Sequence, residues 1–250
     1  MEDESVSLAG KTALVTGAAR RIGRAIAVSL ARNGVHVVVH YHQSTQDALA
    51  LCGEIRQLGV LAWPVRADLM DAGQTEQVFR EAAAQAGAID ILVNNASIFE
   101  RDTLWDATGE SLAKNVRIHA AAPLILSREL AKQERAGHIV NLLDTRITMS
   151  GKEHASYDLS KGMLMTLTRR LALELAPNIA VNAVAPGAIL PPAGQSEAYL
   201  AKLAHATPLN RIGDPGDVVA AVLFLLHSRF ITGQIIYVDG GMHLKGCLYD

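Results

Sequence analysis

The sequence predicts an α/β fold: one doubly wound domain over residues 1–250, with a seven-stranded parallel sheet flanked by helices. Two observations predict it. Seven short runs rich in apolar and β-branched residues alternate with segments of helical period, as in repeated strand–helix–strand units. Most of these runs are continuously apolar, which is typical of strands that are buried on both faces. A sheet of this kind binds ligands in the crevice outside the carboxyl ends of its strands.

The predicted strands follow one another along the whole chain. They are KTALVTG (11–17), VHVVVHY (35–41), VLAWPVRAD (60–68), IDILVNNAS (89–97), HIVNLLD (138–144), IAVNAVAPG (179–187) and GQIIYVDGG (233–241). Helical segments such as 24–34 and 75–87 lie between them and end in glycine, the usual residue just past a helix end. Longer helices are predicted around 108–135 and 155–175. No linker or repeat interrupts this pattern, which favours a single domain.

The composition excludes several classes of function. The formal net charge of −2 gives no basic surface for a nucleic-acid partner. The acidic start, MEDESVSLAG, lacks the apolar core of a secretory signal, and no apolar run approaches the ~20 residues that span a bilayer. Cys52 and Cys247 belong to no CxxC or Cys/His cluster, so we expect a reduced cytoplasmic protein without a metal site.

The first strand ends in a glycine turn, LVTGAARRIGRAIA, that opens a helix. Gly17 permits the tight turn, and Gly23 lets the helix pack close to the sheet. The free N–H groups and the positive dipole end of the helix suit a pyrophosphate. Arg21 replaces the usual middle glycine, between Arg20 and Ile22, so two guanidinium groups could clamp an extra anion. The alternatives are a turn without a ligand and arginines that are merely solvated.

The second strand ends in neutral or cationic donors. His42, Gln43 and Ser44 stand where an acid commonly binds the ribose 2′-hydroxyl of NAD. They would tolerate a 2′-phosphate, which favours NADPH/NADP+ over NADH. Asp47, expected on the next helix, argues the other way.

Polar residues also end the third and fourth strands. Asp68, followed by Leu69, could accept a hydrogen bond from an adenine amino group or cap the next helix. Asn95 and Ser97 could satisfy exposed backbone groups, and Ala96 leaves room for a nucleotide. These residues extend the predicted cofactor site along the sheet edge.

The reacting groups are predicted near the fifth strand. Tyr157 and Lys161 lie four residues apart in a helical segment, on one face. A phenol has a pKa of about 10, which a nearby ammonium and an oxidised nicotinamide would lower. Tyr157 would then be the general acid, with Lys161 tuning it and holding the ribose. An exposed pair arising by chance is the alternative for this spacing. Asp144 lies thirteen residues before the tyrosine, at the end of an apolar run.

These motifs together resemble a known family. TGAARRIG, NNAS, YDLSK and VAPG occur in the order and positions of the short-chain dehydrogenase/reductases, and the resemblance extends through ITGQIIYVDGG. It implies a Rossmann-type domain that binds NADP(H), with Pro186 and Gly187 shaping the turn beside the nicotinamide carboxamide. It also implies a substrate lid at about 188–212 and a homotetramer formed by the two long helices, with a dimer as the alternative.

Asp144 stands where that family usually has serine, as in the pteridine reductases and the bacterial dihydromonapterin reductases. The arginine-bearing turn and HYHQS resemble theirs, although Gln43 replaces an arginine of some members. Phe99 matches the aromatic residue that stacks on a pterin; burial beneath a loop is the alternative. The substrate residues implied by this resemblance are Arg21, Ser97, Phe99, Asp144 and Tyr157.

The implied chemistry is the reduction of a dihydropterin C=N bond. A carboxyl–phenol pair can relay the proton to nitrogen, and a carboxylate can also bind the amino-pyrimidine edge. An ionised Asp144 would repel the oxyanion of a ketone, whereas a serine hydroxyl would stabilise it. His119 occupies the usual position of the proton-relay asparagine and is expected to act through its carbonyl or simply to pack; Asn115, one turn away, receives no role.

The leading hypothesis is therefore NADPH-dependent reduction of dihydropterins: dihydrobiopterin, dihydromonapterin or dihydrofolate. One alternative is a carbonyl or 3-oxoacyl-type short-chain reductase that uses NADPH. The other is a nucleotide-sensing protein without catalysis, against which the intact Tyr157 and Lys161 argue.

Overall fold

Seven parallel strands form one sheet in a computed structural model, which describes residues 7–149, 151–192, 194 and 196–245. The strands are β1 (Thr12–Val15), β2 (His36–Tyr41), β3 (Ala62–Arg66), β4 (Ile91–Asn94), β5 (Gly137–Leu142), β6 (Ile179–Pro186) and β7 (Ile235–Val238). Their order across the sheet is β3-β2-β1-β4-β5-β6-β7. The predicted fold class is confirmed: a single Rossmann-like α/β domain.

The order of the strands reverses beside β1. Ala13 pairs with Val37 of β2 on one side and with Ile91 of β4 on the other. Connections on the two sides of this point run in opposite directions, which leaves a crevice at the carboxyl ends of the strands. The polar strand ends singled out from the sequence lie at this edge.

Helices cover both faces of the sheet. They are α1 (Arg21–Arg32), α2 (Thr45–Gln57), α3 (Ala72–Ala86), α4 (Gly109–Val116), α5 (Ala122–Ala131), α6 (Ala155–Glu174), α7 (Glu197–Leu203) and α8 (Pro215–His227). A π-helical turn, Arg117–Ala121, joins α4 to α5 within the helix predicted around 108–135. In the part of the chain that the structure describes, every helix is too short or too polar to cross a bilayer.

The core explains why the strands are continuously apolar. Ala13 and Val15 of β1 point into a cluster formed with α1, α2 and α8, whereas Leu14 points into a second cluster with α3 and α5. All three side chains are fully buried. Full burial of a side chain such as valine or leucine contributes about 1.5–3 kcal/mol, so both faces of the strand favour apolar residues.

The cysteines form no special site among the described residues. Cys52 is a buried free thiol on α2, and burial raises its pKa; Cys247 lies outside the described residues. No group of three or more His, Cys, Asp or Glu side chains in the described ranges could hold a metal ion.

Candidate active site

The turn after β1 has the form of an anion cradle. Gly17 has a φ of +61°, and a Cβ on Gly23 would lie 2.3 Å from the Gly17 carbonyl oxygen, so both positions require glycine. Helix α1 begins at Arg21, and the side chain of Arg20 makes no capping hydrogen bond to its first turn. That turn also contains no acidic residue. Its N–H groups and positive dipole end therefore fit a phosphate group.

Two side chains brace this turn from inside the protein. The amide nitrogen of Asn95 donates to the carbonyl oxygens of Thr16 and Gly17, at 2.9 and 3.2 Å. Nδ1 of His40 accepts the Gly17 N–H at 3.1 Å, and its Nε2 lies 3.2 Å from the Ala67 carbonyl oxygen. Burial lowers the pKa of His40 to about 4, which keeps the ring neutral and able to accept at Nδ1. The sequence analysis missed His40; a polar residue inside an apolar strand was the available signal.

The two arginines of the turn have different partners. Nε of Arg20 donates to Asp47 on α2 at 2.8 Å, so the carboxylate that argued against NADPH is compensated by a cation. Arg21, with a φ of +57°, reaches across to donate to the carbonyl oxygen of Pro191 at 2.8 Å. Arg21 thereby links the phosphate turn to the segment predicted as a lid. Residues 193 and 195 of that segment lie outside the described residues.

The ends of β2 and β3 lie side by side. Nε2 of His42 is 3.9 Å from the carboxylate of Asp68, while Leu69 is buried behind it. Asp68 accepts the Met70 N–H, and it is Asp71 that caps α3. The capping alternative considered for Asp68 is therefore wrong, and its second carboxylate oxygen faces His42. Gln43 is exposed and Ser44 is the residue before α2, at the same rim.

Asp144, Tyr157 and Lys161 are brought together beyond the end of β5. The hydroxyl of Tyr157 donates to Oδ2 of Asp144 at 2.8 Å. Nζ of Lys161 donates to the Leu142 carbonyl oxygen at 2.6 Å and lies 5.6 Å from the centre of the tyrosine ring. Tyr157 and Lys161 are buried, whereas Asp144 is partly exposed. The acid thus connects the buried phenol to solvent.

Local structure orients the Asp144 carboxylate. Its Oδ1 accepts the Arg146 N–H at 2.9 Å and caps the 3₁₀ turn Thr145–Thr148, which leaves Oδ2 for the phenol. The buried guanidinium of Arg146 donates to both carboxylate oxygens of Asp158 at 2.6 and 2.8 Å, and to the Glu153 carbonyl oxygen. This pair ties the loop after β5 to α6. The sequence analysis missed Arg146, because nothing in the sequence marks it as buried.

The ionisation of these groups differs from the expectation in one respect. Burial, followed by the charge of Asp144, raises the pKa of Tyr157 well above its usual value of 10.0. The lowering expected from the sequence required both the Lys161 ammonium and an oxidised nicotinamide. In the protein alone, burial and the charge of Asp144 dominate, and the ammonium bonds to the Leu142 carbonyl oxygen. Burial also raises the pKa of Asp144, against hydrogen bonds from Arg146 and Tyr157, and lowers the pKa of Lys161 to about 8. In the hydrogen bond between the two groups, the phenol is the donor and the carboxyl group is the acceptor.

An aromatic wall faces the tyrosine. The ring of Phe99 lies edge-on to that of Tyr157, with centroids 4.8 Å apart, and is 43% exposed. Its face stacks on His154 at 3.8 Å. The alternative of burial beneath a loop is therefore wrong, and a flat ring has an apolar surface to contact beside the phenol. His154, which the sequence analysis missed, directly precedes α6 in a left-handed conformation with a φ of 65°.

The comparison with known protein families decides the classification. A family model described as "Enoyl-(Acyl carrier protein) reductase" matches residues 17–243. The chain belongs to the short-chain dehydrogenase/reductase family.

Relatives of this short-chain dehydrogenase/reductase act on different substrates. The 3-oxoacyl-[acyl-carrier-protein] reductase FabG of Staphylococcus aureus is 36% identical over 249 residues, covering 94% of this chain and 98% of that protein. FolM, alternative dihydrofolate reductase 1 of Brucella canis, is 35% identical to this chain. Its crystal structure, complexed with NADP, matches with a TM-score of 0.89 over 96% of each chain. LugOII is a promiscuous reductase that catalyses keto-reduction at C1 during lugdunomycin biosynthesis. It is 35% identical to this chain, and its structure matches with a TM-score of 0.89 over 96% of this chain and 100% of that one.

The far side of the site in this short-chain dehydrogenase/reductase is braced by β7. A Cβ on Gly187, just after Pro186, would lie 2.7 Å from the Cβ of Asp239. The carboxylate of Asp239 accepts hydrogen bonds from the Thr145 hydroxyl at 2.5 Å and from the His243 N–H at 2.8 Å. Asp239, also missed from the sequence, therefore holds the loop that carries Asp144. Glycine at 187 lets the chain pass close to it.

Proposed function

We propose that this protein is an NADPH-dependent reductase of dihydropterins, which it converts to tetrahydropterins. The observation that carries the proposal is the 2.8 Å hydrogen bond from the Tyr157 hydroxyl to Oδ2 of Asp144. A serine at position 144 would offer a hydroxyl donor to a ketone oxygen. The carboxylate offers instead an acceptor for N–H groups and a second site for the transferred proton.

The cofactor assignment is supported by the crevice itself. The first turn of α1 supplies N–H groups for a pyrophosphate. A 2′-phosphate would meet Arg20, His42 and Ser44, where Arg20 compensates the charge of Asp47. The Brucella canis relative of similar structure was crystallised with NADP. Bound NADPH supplies the hydride. The residues proposed to lie beside the nicotinamide ring are Ala96, Tyr157, Lys161, Pro186 and Gly187.

The side chains supply and orient the proton. Reduction of the C=N bond adds a hydride to carbon and a proton to nitrogen, while NADPH becomes NADP+. Tyr157 donates its phenolic proton to the nitrogen. Asp144, which is partly exposed, then takes up a proton from solvent and passes it to the Tyr157 phenolate along the line of the existing hydrogen bond. Lys161 keeps a positive charge beside the transient phenolate.

The substrate is placed by the wall opposite the nicotinamide. Phe99 presents an aromatic surface next to the Tyr157 ring, as stacking of a flat heterocycle requires. Asp144 is in position to accept from the amino-pyrimidine edge, and Ser97 and Arg21 complete the proposed contacts. The name of the Brucella protein, an alternative dihydrofolate reductase, supports a substrate of this class, with dihydrofolate, dihydrobiopterin and dihydromonapterin as candidates.

A 3-oxoacyl or other carbonyl reductase is the second candidate. The 36% identity to FabG of Staphylococcus aureus favours it. The raised pKa of Asp144 also bears on it, because a protonated carboxyl could donate to a developing oxyanion. The two candidates therefore differ in whether the carboxyl acts as an acceptor or as a donor toward the substrate.

A steady-state screen tests the proposal. NADPH oxidation is followed with the three dihydropterins and with a panel of ketones that includes an acetoacetyl thioester. We expect turnover of a dihydropterin, and a loss of that turnover in Asp144→Ser with little change in NADPH binding. Turnover of the thioester alone would replace the proposal with the second candidate. NADPH binding without turnover of either class would indicate a nucleotide-sensing protein.

The assembly and the lid are further parts of the proposal. Helix α6 exposes Leu159 and Met163, which are 55% and 48% accessible, along a groove that ends at Arg170. This apolar face supports a homotetramer, and light scattering of the purified protein measures its mass.

The bond between Arg21 and Pro191 supports a lid at 188–212. A cytoplasmic location rests on the unclustered cysteines alone.

A further inference from the structure

His119 occupies the π-helical turn between α4 and α5, and its ring is buried between two parts of the site. On one side lies the loop after β4 that carries Ser97 and Phe99. On the other side lies α6, which carries Tyr157. The T-shaped contact of the His119 and Tyr157 rings, with centroids 5.2 Å apart, places the histidine behind the phenol.

Each nitrogen of the ring bonds to one of these two parts. The Ile98 N–H donates to Nε2 at 3.3 Å, so Nε2 carries no proton, and the Ser97 hydroxyl lies 2.9 Å from the same nitrogen. Nδ1 must then carry the proton and donate to the Ser160 hydroxyl at 2.8 Å. Ser160 in turn donates to the Tyr157 carbonyl oxygen at 2.7 Å. One imidazole therefore joins the substrate loop to the helical turn of the catalytic tyrosine.

The ring keeps this tautomer throughout the neutral range. Burial, followed by the charge of Lys161, lowers the pKa of His119 to about 2. A protonated ring would lose the acceptor at Nε2 and break the bond from the Ile98 N–H. Asn115 does not substitute for it, because its amide donates one turn away to the Ser111 carbonyl oxygen.

We propose that His119 is a positioning residue, whose two ring nitrogens set the distance between the Ser97–Phe99 loop and the Tyr157 hydroxyl. Phe99 touches Tyr157 edge-on at 4.8 Å, so a shift of the loop changes the space in which a substrate ring meets the phenol. A ring that only filled space would make neither bond. The proposal rests on the proposed function only for the choice of substrate.

A set of variants separates the two bonds from the packing. His119→Phe keeps a ring against Tyr157 and removes both bonds. His119→Gln places an amide near the position of Nε2, and His119→Asn places one near the position of Nδ1, so each restores one bond. Ser160→Ala removes only the hydrogen bonds on the side of α6 and leaves those at Nε2 in place. His138→Phe, a half-buried histidine at the opposite end of β5, is the control.

The kinetic result expected is a split between kcat and cofactor binding. Loss of the hydrogen bonds at both ring nitrogens should lower the kcat of His119→Phe by about tenfold or more, with the NADPH KM within about threefold of wild type. His119→Gln and His119→Asn recover part of that loss. Ser160→Ala added to His119→Phe costs less than Ser160→Ala alone, because His119→Phe has already removed the bond between the two side chains and only the bond from Ser160 to the Tyr157 carbonyl oxygen is left to lose. His138→Phe keeps the wild-type kcat.

Amide hydrogen exchange gives a readout that needs no substrate. We expect faster exchange across 96–100 in His119→Phe and wild-type exchange in His119→Gln. A wild-type kcat in His119→Phe overturns the proposal, whether or not exchange changes. If wild type turns over a ketone but no dihydropterin, the proposed function fails alone and the series is measured on that ketone. If it turns over neither, unchanged exchange in His119→Phe overturns the proposal and faster exchange supports it.

Discussion

Replacing Asp144 by asparagine would remove the carboxylate from Tyr157 while keeping the shape of the site. The amide oxygen of asparagine can still accept the Arg146 N–H, so the 3₁₀ turn should persist. The group that changes is Oδ2, which accepts the phenolic proton at 2.8 Å. A hydrogen bond to a charged group contributes about 1.5–3 kcal/mol, which corresponds to a factor of about 10–150 in rate. We expect kcat/KM for dihydropterin to fall by about that factor.

The pH profile gives a second, independent result. The charge of Asp144 and its hydrogen bond both raise the pKa of Tyr157. Without the carboxylate, that pKa falls, so the phenol loses its proton at a lower pH. The basic limb of the kcat/KM profile in Asp144→Asn should therefore move to lower pH. Initial rates of NADPH oxidation at saturating cofactor, measured from about pH 5 to as far above pH 10 as the enzyme stays folded, report both effects, because the pKa of Tyr157 lies well above 10.0.

Asp214→Asn is the matched control. Asp214 also caps a helix, since its carboxylate accepts the Gly216 and Asp217 N–H groups at the start of α8. Asparagine caps about as well as aspartate, so this variant changes the same functional group away from Tyr157. It should keep the wild-type rate and profile. Equal kcat/KM in Asp144→Asn and wild type, or an unmoved basic limb, would refute the proton relay.

Three further predictions follow from the turn after β1. Gly23→Ala should destabilise the protein by about 1–3 kcal/mol in urea unfolding, because the new Cβ would lie 2.3 Å from the Gly17 carbonyl oxygen. Lowering the pH from 7 to 5 should reduce the free energy of unfolding by about 2 kcal/mol through His40, whose pKa of about 4 lies below its unfolded value of 6.5. This contribution is present above pH 6.5 and is lost as the pH falls toward 4. Arg20→Gln should raise the KM for NADPH by about tenfold and leave that for NADH nearly unchanged, since it would remove the proposed charge-assisted bond to the 2′-phosphate.

Each of these has its own comparison. Gly53→Ala on α2 meets nothing within 4 Å and should stabilise by about 0.5–1 kcal/mol; destabilisation by both alanines would contradict the steric argument. His40→Asn should show a smaller loss of stability on acidification, and an equal loss would assign the effect to other groups. If Arg20→Gln raised the KM for NADPH and the KM for NADH equally, the Arg20 side chain would not contact the 2′-phosphate.

The fold could be predicted from the sequence because burial on both faces leaves a continuous apolar run in each strand. The seven runs all became strands, and parallel strands place their carboxyl ends along one edge. Tyr157 and Lys161 lie on one helical face, so their proximity follows from spacing. The position of Asp144 at a strand end, beside that helix, follows from the fold and the resemblance together.

The parts that escaped prediction depend on tertiary contacts. A π-helical turn has no mark in the sequence, and it is this turn that carries the His119 ring between two elements distant in the chain. Arg146 is buried only because Asp158 meets it from α6. The pKa of Tyr157 was expected to fall beside an ammonium and an oxidised nicotinamide, but the spacing reveals neither the burial of the phenol nor that Leu142 accepts that ammonium.

The central pairing of β1 with β4 bears on how the protein is made. Thr12, the first residue of β1, bonds to Asp90, which directly precedes β4 and lies 78 positions further along the chain. On a ribosome, β1, β2 and β3 emerge first and can pair among themselves, whereas the other edge of β1 stays open until β4 emerges. Such long-range parallel pairing is slow. During synthesis the nascent chain therefore carries a bare strand edge at the future nucleotide crevice, where chaperones would have most to protect.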